Sequence, residues 1–240
     1  MKKCFLLLFA IASLQGCADE IRSSEEEAEN SVVYKREREF IFLVSHFNND
    51  GSVSRQDTLI LTTSGEVFSK EHGQTRSSWS YSGEKGWKSY SGIEESDTAI
   101  WIHPPRTDLY RKLELSPFPM VKYPLEVGNK WTWSLLVGNH YSIKGHAEWA
   151  DTTNEKFVSN YRITQKAPLS TKLGEISCFE ISSFTESNFE QTELKAHFST
   201  DYGFVRLDYQ NIDKGRMTFE LIQVKSVKPE FSFPFAVNRR

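Results

Sequence analysis

The sequence predicts an all-β protein: an antiparallel meander forming a curved sheet or half-barrel, with only a minor helical element. Three observations carry the prediction. Apolar and polar residues alternate with period two along short runs, as in Trp131, Trp133, Leu135 and Val137. Turn-forming clusters such as Asn48-Asn49-Asp50-Gly51 and Asp213-Lys214-Gly215 separate those runs. Aromatic residues make up 13% of the chain, a share that suits half-buried strands rather than disorder.

Lys2 and Lys3 open the chain, and an apolar run follows from Phe5 to Leu14. Its length fits a signal peptide over residues 1–16 and falls well short of the roughly 20 residues that span a bilayer. The run ends at Leu14-Gln15-Gly16-Cys17. This stretch resembles the lipobox of bacterial lipoproteins, with a large apolar residue three before the cysteine and a small one just before it. The resemblance implies cleavage before Cys17, a diacylated thioether on its sulfur and an acylated amino terminus. Such chains bury CH₂ groups at ~0.8 kcal/mol each, enough for anchoring without a spanning helix. The alternative is an ordinary secretory signal, for which Leu14-Gln15-Gly16 is a poor A-x-A-like end. Ala18 follows the cysteine where an Asp would retain a lipoprotein at the inner membrane, so the family's sorting habit implies the outer membrane. Asp19-Glu20 also resembles an acidic signal for surface display. The expected location is the cell envelope, on its periplasmic or surface face, with the membrane as partner through the lipid.

Residues 17–31 read as a lipidated acidic tether, with Glu25 to Glu27 a solvated run. Removing residues 1–16 takes away Lys2 and Lys3 and moves the formal charge from −3 to −5. That balance offers no basic excess for nucleic acid. Of three cysteines only Cys178 belongs to the folded part, which excludes an internal disulfide. It sits in the strand-like run Gly174 to Phe184, where a buried core thiol is expected and a reactive one is the alternative.

A single β-rich domain is expected over residues 32–228, in halves 32–102 and 130–228, with an extended tail at 229–240. Phe40 to Phe47 is apolar on both faces and reads as a central strand. Ser64-Gly65 reads as a turn before Glu66 to Lys70. Five of the eight prolines fall between His103 and Pro124. Proline cannot donate to a ladder, so residues 103–124 read as a crossover between the halves that closes over one face or rim. Within it, Thr107 is a candidate N-cap for a helical turn or two. From Trp131 a hairpin is expected, turning at Gly138-Asn139 and returning through Tyr141, Ile143, Ala147 and Trp149. Leu194, Ala196 and Phe198, then Val205, Leu207 and Tyr209, continue the alternation.

Trp101-Ile102-His103-Pro104-Pro105-Arg106 is the first candidate ligand site. The prolines hold the backbone extended, Trp101 offers a stacking face, His103 titrates near neutrality, and Arg106 suits an anion. The bland alternative is a core Trp101, a capped strand end at His103 and an ion-paired Arg106. The second candidate is an aromatic platform for a glycan, with Trp79, Tyr81, Trp87 and Tyr90; ordinary cross-strand packing is its alternative. No catalytic motif stands out, and no cofactor or metal is expected. His140 and His146 on one extended strand would lie ~20 Å apart, too far to share an ion.

Residues 123–227 resemble uncharacterised bacterial envelope lipoproteins through Tyr123-Pro124-Leu125-Glu126-Val127-Gly128-Asn129-Lys130-Trp131, Gly174-x-x-x-Cys178 and Tyr202-Gly203-Phe204-Val205. Folds of this kind resemble the curved half-barrel of the Lol-type lipoprotein carriers, whose concave apolar face holds acyl chains. The resemblance implies a lipid-anchored protein that binds an apolar or amphipathic ligand without catalysis. The alternatives are a structural or assembly lipoprotein binding a protein partner, and a glycan-directed binder or hydrolase. A continuous apolar cavity would distinguish the first from the others.

Overall fold

The structure is a computed structural model that describes residues 32–35, 37–83 and 88–226. The signal, the tether with Cys17, Trp87 and the tail at 229–240 lie outside the described residues.

The strands are β1 (Arg38–Phe47), β2 (Val53–Ser69), β3 (Gln74–Tyr81), β4 (Ser89–Glu95), β5 (Ala99–Ile102), β6 (Met120–Lys122), β7 (Lys130–Gly138), β8 (Asn154–Thr171), β9 (Gly174–Glu186), β10 (Thr192–Ser199), β11 (Gly203–Gln210) and β12 (Arg216–Ser226). They form one antiparallel sheet in the order β6-β5-β4-β3-β2-β1-β12-β11-β10-β9-β8-β7. The chain meanders from the centre out to one edge at β6. It crosses to the opposite edge at β7 and meanders back until β12 pairs with β1. The all-β meander is therefore the architecture, and the proline-rich crossover joins its two edges.

The sheet curls until those edges approach each other, giving a nearly closed barrel-like form. Trp133 of β7 lies 6.3 Å from Trp101 of β5 and 5.0 Å from Phe118 of the crossover, ring to ring. Tyr161 of β8 donates from its hydroxyl to the Phe118 carbonyl at 3.2 Å. Bulges between Ile41 and Phe42, Ile163 and Gln165, and His197 and Phe198 bend the strands that must curve.

Strand β1 is central, as its apolar faces predict, with Phe40, Phe42 and Val44 fully buried. The crossover carries a 3-10 helix, Asp108–Leu115, that lies inside the curl with Tyr110, Leu113 and Leu115 at 0% exposure and Phe118 at 1%. Each such buried side chain contributes roughly 1.5–3 kcal/mol over leaving it in water. Thr107 stands at the N-cap position, but its side chain makes no capping hydrogen bond.

Two turn expectations are corrected. Ser64-Gly65 is not a turn: β2 runs through it, and the pairing with β3 shifts register between Thr63 and Val67. Gly65 takes φ +69, and a Cβ there would stand 2.7 Å from the Lys35 carbonyl oxygen, so the position needs glycine. The hairpin at Gly138-Asn139 is also absent. Neither residue takes the positive φ that a tight two-residue turn demands, and Asn139–Tyr141 form a 3-10 turn instead. The partner of β7 is β8, which starts at Asn154. Tyr141, Ile143, Ala147 and Trp149 leave the sheet and pack with Leu115, Val137, Phe157 and Ile212 in a second small core. The segment folds back through an isolated bridge between Ile143 and Ala147.

Candidate functional site

The crossover packs Tyr110 and Leu113 into the main core of the sheet, where an apolar ligand was expected. Its hold on the sheet is polar as well as apolar. Asp57 of β2 accepts hydrogen bonds from the Tyr110 hydroxyl at 2.8 Å, from Arg55 Nε at 2.9 Å and from His46 Nε2 at 3.1 Å. Burial pushes the Asp57 carboxyl up, but the hydrogen bonds from Arg55 and Tyr110 outweigh it and hold the group below its usual value. Burial also holds the His46 imidazole below its usual value against the pull of Asp57, and burial pushes the Tyr110 phenol up. Tyr110 is thus a neutral donor to a carboxylate, a clasp between crossover and sheet rather than a nucleophile. Lys112 makes a second clasp to Asp213 at 2.6 Å.

The first candidate stretch belongs to the same framework. Trp101 donates from its indole to Glu94 Oε2 at 2.7 Å and packs against Phe118 and Trp133. His103 is buried, with Nε2 3.4 Å from Glu114 Oε2 and Nδ1 2.9 Å from the Pro104 carbonyl oxygen. Arg106 donates to the Tyr90 carbonyl at 3.4 Å and bonds the Tyr141 side chain. The three side chains engage different partners and do not converge on one ligand position.

Trp79 is 1% exposed; its indole donates to the His103 carbonyl at 2.8 Å, and its ring lies 5.6 Å from Phe42. It is a core residue with no face open to a sugar. Tyr81 packs 6.3 Å from Tyr110, while Tyr90 is exposed. Of the three described aromatics Trp79 lies in the core and only Tyr90 is exposed, while Trp87 lies outside the described residues. Cys178 is buried, and burial pushes its thiol up to about 11, the inert end of thiol chemistry. Among the described residues no group of His, Cys, Asp and Glu is placed to hold a metal.

Concavity survives on the outer face. The twist of the sheet leaves two open hollows there, of about 700 and 450 Å³. The larger lies over β7 to β10 with Lys130, Thr132, Asn160, Arg162 and Phe184 in its wall. The smaller lies over β9 to β12 with Lys195, Arg206, Asp208, Gln210, Arg216 and Thr218. Ser182, Ser183 and Glu193 line both, so the two hollows adjoin along β9 and β10 and together make a trough-like surface across six strands. Antiparallel register builds its floor, since residues opposite one another share a face. Arg162 stands opposite Ser182, Ser182 opposite Lys195, Lys195 opposite Asp208, and Asp208 opposite Thr218. Asp208 is engaged by Arg206 Nε at 2.9 Å and Thr218 Oγ1 at 2.7 Å. Among the described residues Lys130 and Arg162 make no ion pair and no side-chain hydrogen bond.

Sequence reasoning missed the trough. The alternation of Leu194, Ala196 and Phe198 does put Lys195 on the wet face. Nothing in the spacing tells that Lys195 stands beside Ser182 and Arg162, because that depends on register between strands far apart in the chain.

No family model matches the sequence, and no curated protein matches it. Solved structures are similar to this chain only at a low level. One is a protein from Parabacteroides distasonis provisionally described as a lipoprotein, at 10% identity and TM-score 0.47, covering 81% of this chain and 98% of that one. Another is an exported protein from Bacteroides fragilis, also provisionally described, with a YmcC-like fold, at 10% identity and TM-score 0.41, covering 80% and 97%. The hypothetical lipoprotein YmcC from Escherichia coli (K12) follows at 9% identity and TM-score 0.38, covering 91% and 98%. At these scores no function passes from those proteins to this one.

Proposed function

We propose that the protein is a lipid-anchored component of the bacterial cell envelope, held at the outer membrane through Cys17, that works by non-catalytic binding on the outer face of its sheet. The Leu14-to-Cys17 motif supports the anchor, and the acidic tether would let the folded body stand off the bilayer. The observation that carries the binding site is the pairing of buried crossover side chains inside the curl with adjoining polar hollows on the outer face. Tyr110 and Leu113 belong to the main core, and Phe118 is buried beside Trp101 and Trp133, in the region an acyl chain would need. The trough offers open charged and hydroxyl groups instead.

Native mass spectrometry of the full chain, released from membranes in detergent, tests this. The expected mass is that of the acylated chain alone, and Cys17→Ser removes the acyl mass. A second lipid retained noncovalently at one per chain would return the site to the interior. An unmodified Cys17 in the wild type would remove the anchor.

A second reading, a protein partner, is favoured by β7. It is a nine-residue strand at the sheet edge, and its Leu136 is 64% exposed. Edges of this length accept added strands.

A further inference from the structure

We infer that the trough takes an anionic oligosaccharide chain laid across the strands. This inference rests on the external site proposed above and names its ligand. Two outward-facing rows cross the sheet in register. One is Lys130, Arg162, Ser182, Lys195, Asp208 and Thr218; the other is Thr132, Asn160, Phe184, Glu193, Gln210 and Arg216. Neighbouring strands lie ~4.8 Å apart, so a chain crossing them meets one side chain per row at that interval, polar at every position but Phe184. A pyranose unit has a similar length. An extended peptide does not match, because its side chains return to the same side only every ~6.6 Å. The main-chain groups beneath are already paired in the ladders, so a peptide would find no backbone partners on this face.

Charge selects an acidic glycan over a neutral one. Lys130, Arg162, Lys195, Arg206 and Arg216 line the trough against only Glu193 and Asp208, on a protein whose net charge is −3. Arg206 and Asp208 pair with each other, which leaves Lys130, Arg162, Lys195 and Arg216 against Glu193. Thr132, Asn160, Ser182, Thr218 and Gln210 supply donors and acceptors at the density of hydroxyls on a sugar. Phe184, 37% exposed, gives a ring face for sugar C–H groups, and the Arg216 guanidinium lies 5.8 Å above the Phe47 ring at the far end.

The test uses the full chain in detergent and three immobilised polymers. These are oligogalacturonate long enough to span six strands, neutral dextran, and polyglutamate as an anion without rings. Oligogalacturonate is expected to bind, more weakly as salt rises, and the other two much less. Arg162→Glu with Lys195→Glu is expected to weaken it at least about tenfold, since two charge-assisted hydrogen bonds are lost. Phe184→Ala changes no charge and is expected to weaken oligogalacturonate but not polyglutamate. Both variants alter exposed side chains, and an unchanged thermal melt shows that they fold. If polyglutamate binds as tightly and Phe184→Ala has no effect, the glycan is wrong while the trough stands. If none of the polymers binds, or if binding ignores Arg162 and Lys195, the trough itself falls.

Discussion

Glu95 in β4 and Arg162 in β8 are both charged residues within strands, and they meet opposite fates. Glu95 shares the inner face with Ile93 and is 7% exposed. Its carboxylate accepts three backbone N–H groups, from Val33 at 2.7 Å, Tyr34 at 2.9 Å and Lys35 at 2.7 Å. It replaces a missing strand as the partner for that segment. Arg162 faces outward and engages no other described side chain. Inside the curl an unmet polar group is costly, and Glu95 meets its bonding capacity within the framework, whereas the buried Tyr209 hydroxyl has no partner among the described residues. Outside, water meets the same need at little cost, and the group stays available for a ligand. The difference separates residues that hold the fold from residues free to function, where composition alone treats them alike.

Substitutions on the two faces should therefore differ most at Glu95. Glu95→Ala leaves the buried N–H groups of Val33 and Tyr34 and the part-buried N–H of Lys35 without a partner, and is expected to cost about 3–5 kcal/mol in urea unfolding. A loss below 1 kcal/mol, on the order of a surface change, would mean that the contrast between faces is false. Tyr34→Phe comes next. Tyr34 is fully buried, and its hydroxyl oxygen accepts the Phe204 N–H at 2.8 Å. Removing it should cost about 1–3 kcal/mol by the same measurement.

The clasp at Asp57 adds a pH signature. Its carboxyl is held below its usual value, and burial holds the His46 and His197 imidazoles below theirs. In each case the unfolded chain takes up the proton more readily, so stability rises with pH. The histidine contribution is complete above about pH 6.5 and is lost below it; the Asp57 contribution is lost as pH falls through the range below about 4. Asp57→Asn should cost about 1–2 kcal/mol at neutral pH and flatten the acid limb, while deepening the His46 part of the histidine limb, because that imidazole loses the upward pull of the carboxylate. An acid limb unchanged in the variant would remove the clasp. The smallest effect belongs to the outer face, where Arg162→Glu should shift stability by no more than about 0.5 kcal/mol while changing ligand binding.

Much of the fold was legible before the structure. The alternation of Trp131 to Val137 and of Val205 to Tyr209 told which side chains point inward, because a strand has period two whatever it pairs with. The prolines from 104 to 124 marked the crossover because proline cannot join a ladder. Local rules failed where distant contacts compete. Gly138-Asn139 looks like a hairpin turn, but Tyr141, Ile143, Ala147 and Trp149 gain more by joining Leu115 and Ile212 in a separate core than by returning along the sheet. Trp79 and Trp101 looked like ligand surfaces because sequence shows that aromatics cluster, not which way they face.

The chain's own pattern determined the all-β class, the central place of β1 and the position of the crossover. Each of these follows from covalent geometry or from a residue's hydrogen-bonding capacity, which any neighbourhood must respect. Only the tertiary structure decided that the crossover folds inward and fills the curl, and that Arg162, Ser182 and Lys195 stand side by side. Those outcomes depend on register and closure, which arise from summed weak contacts between segments far apart in the chain.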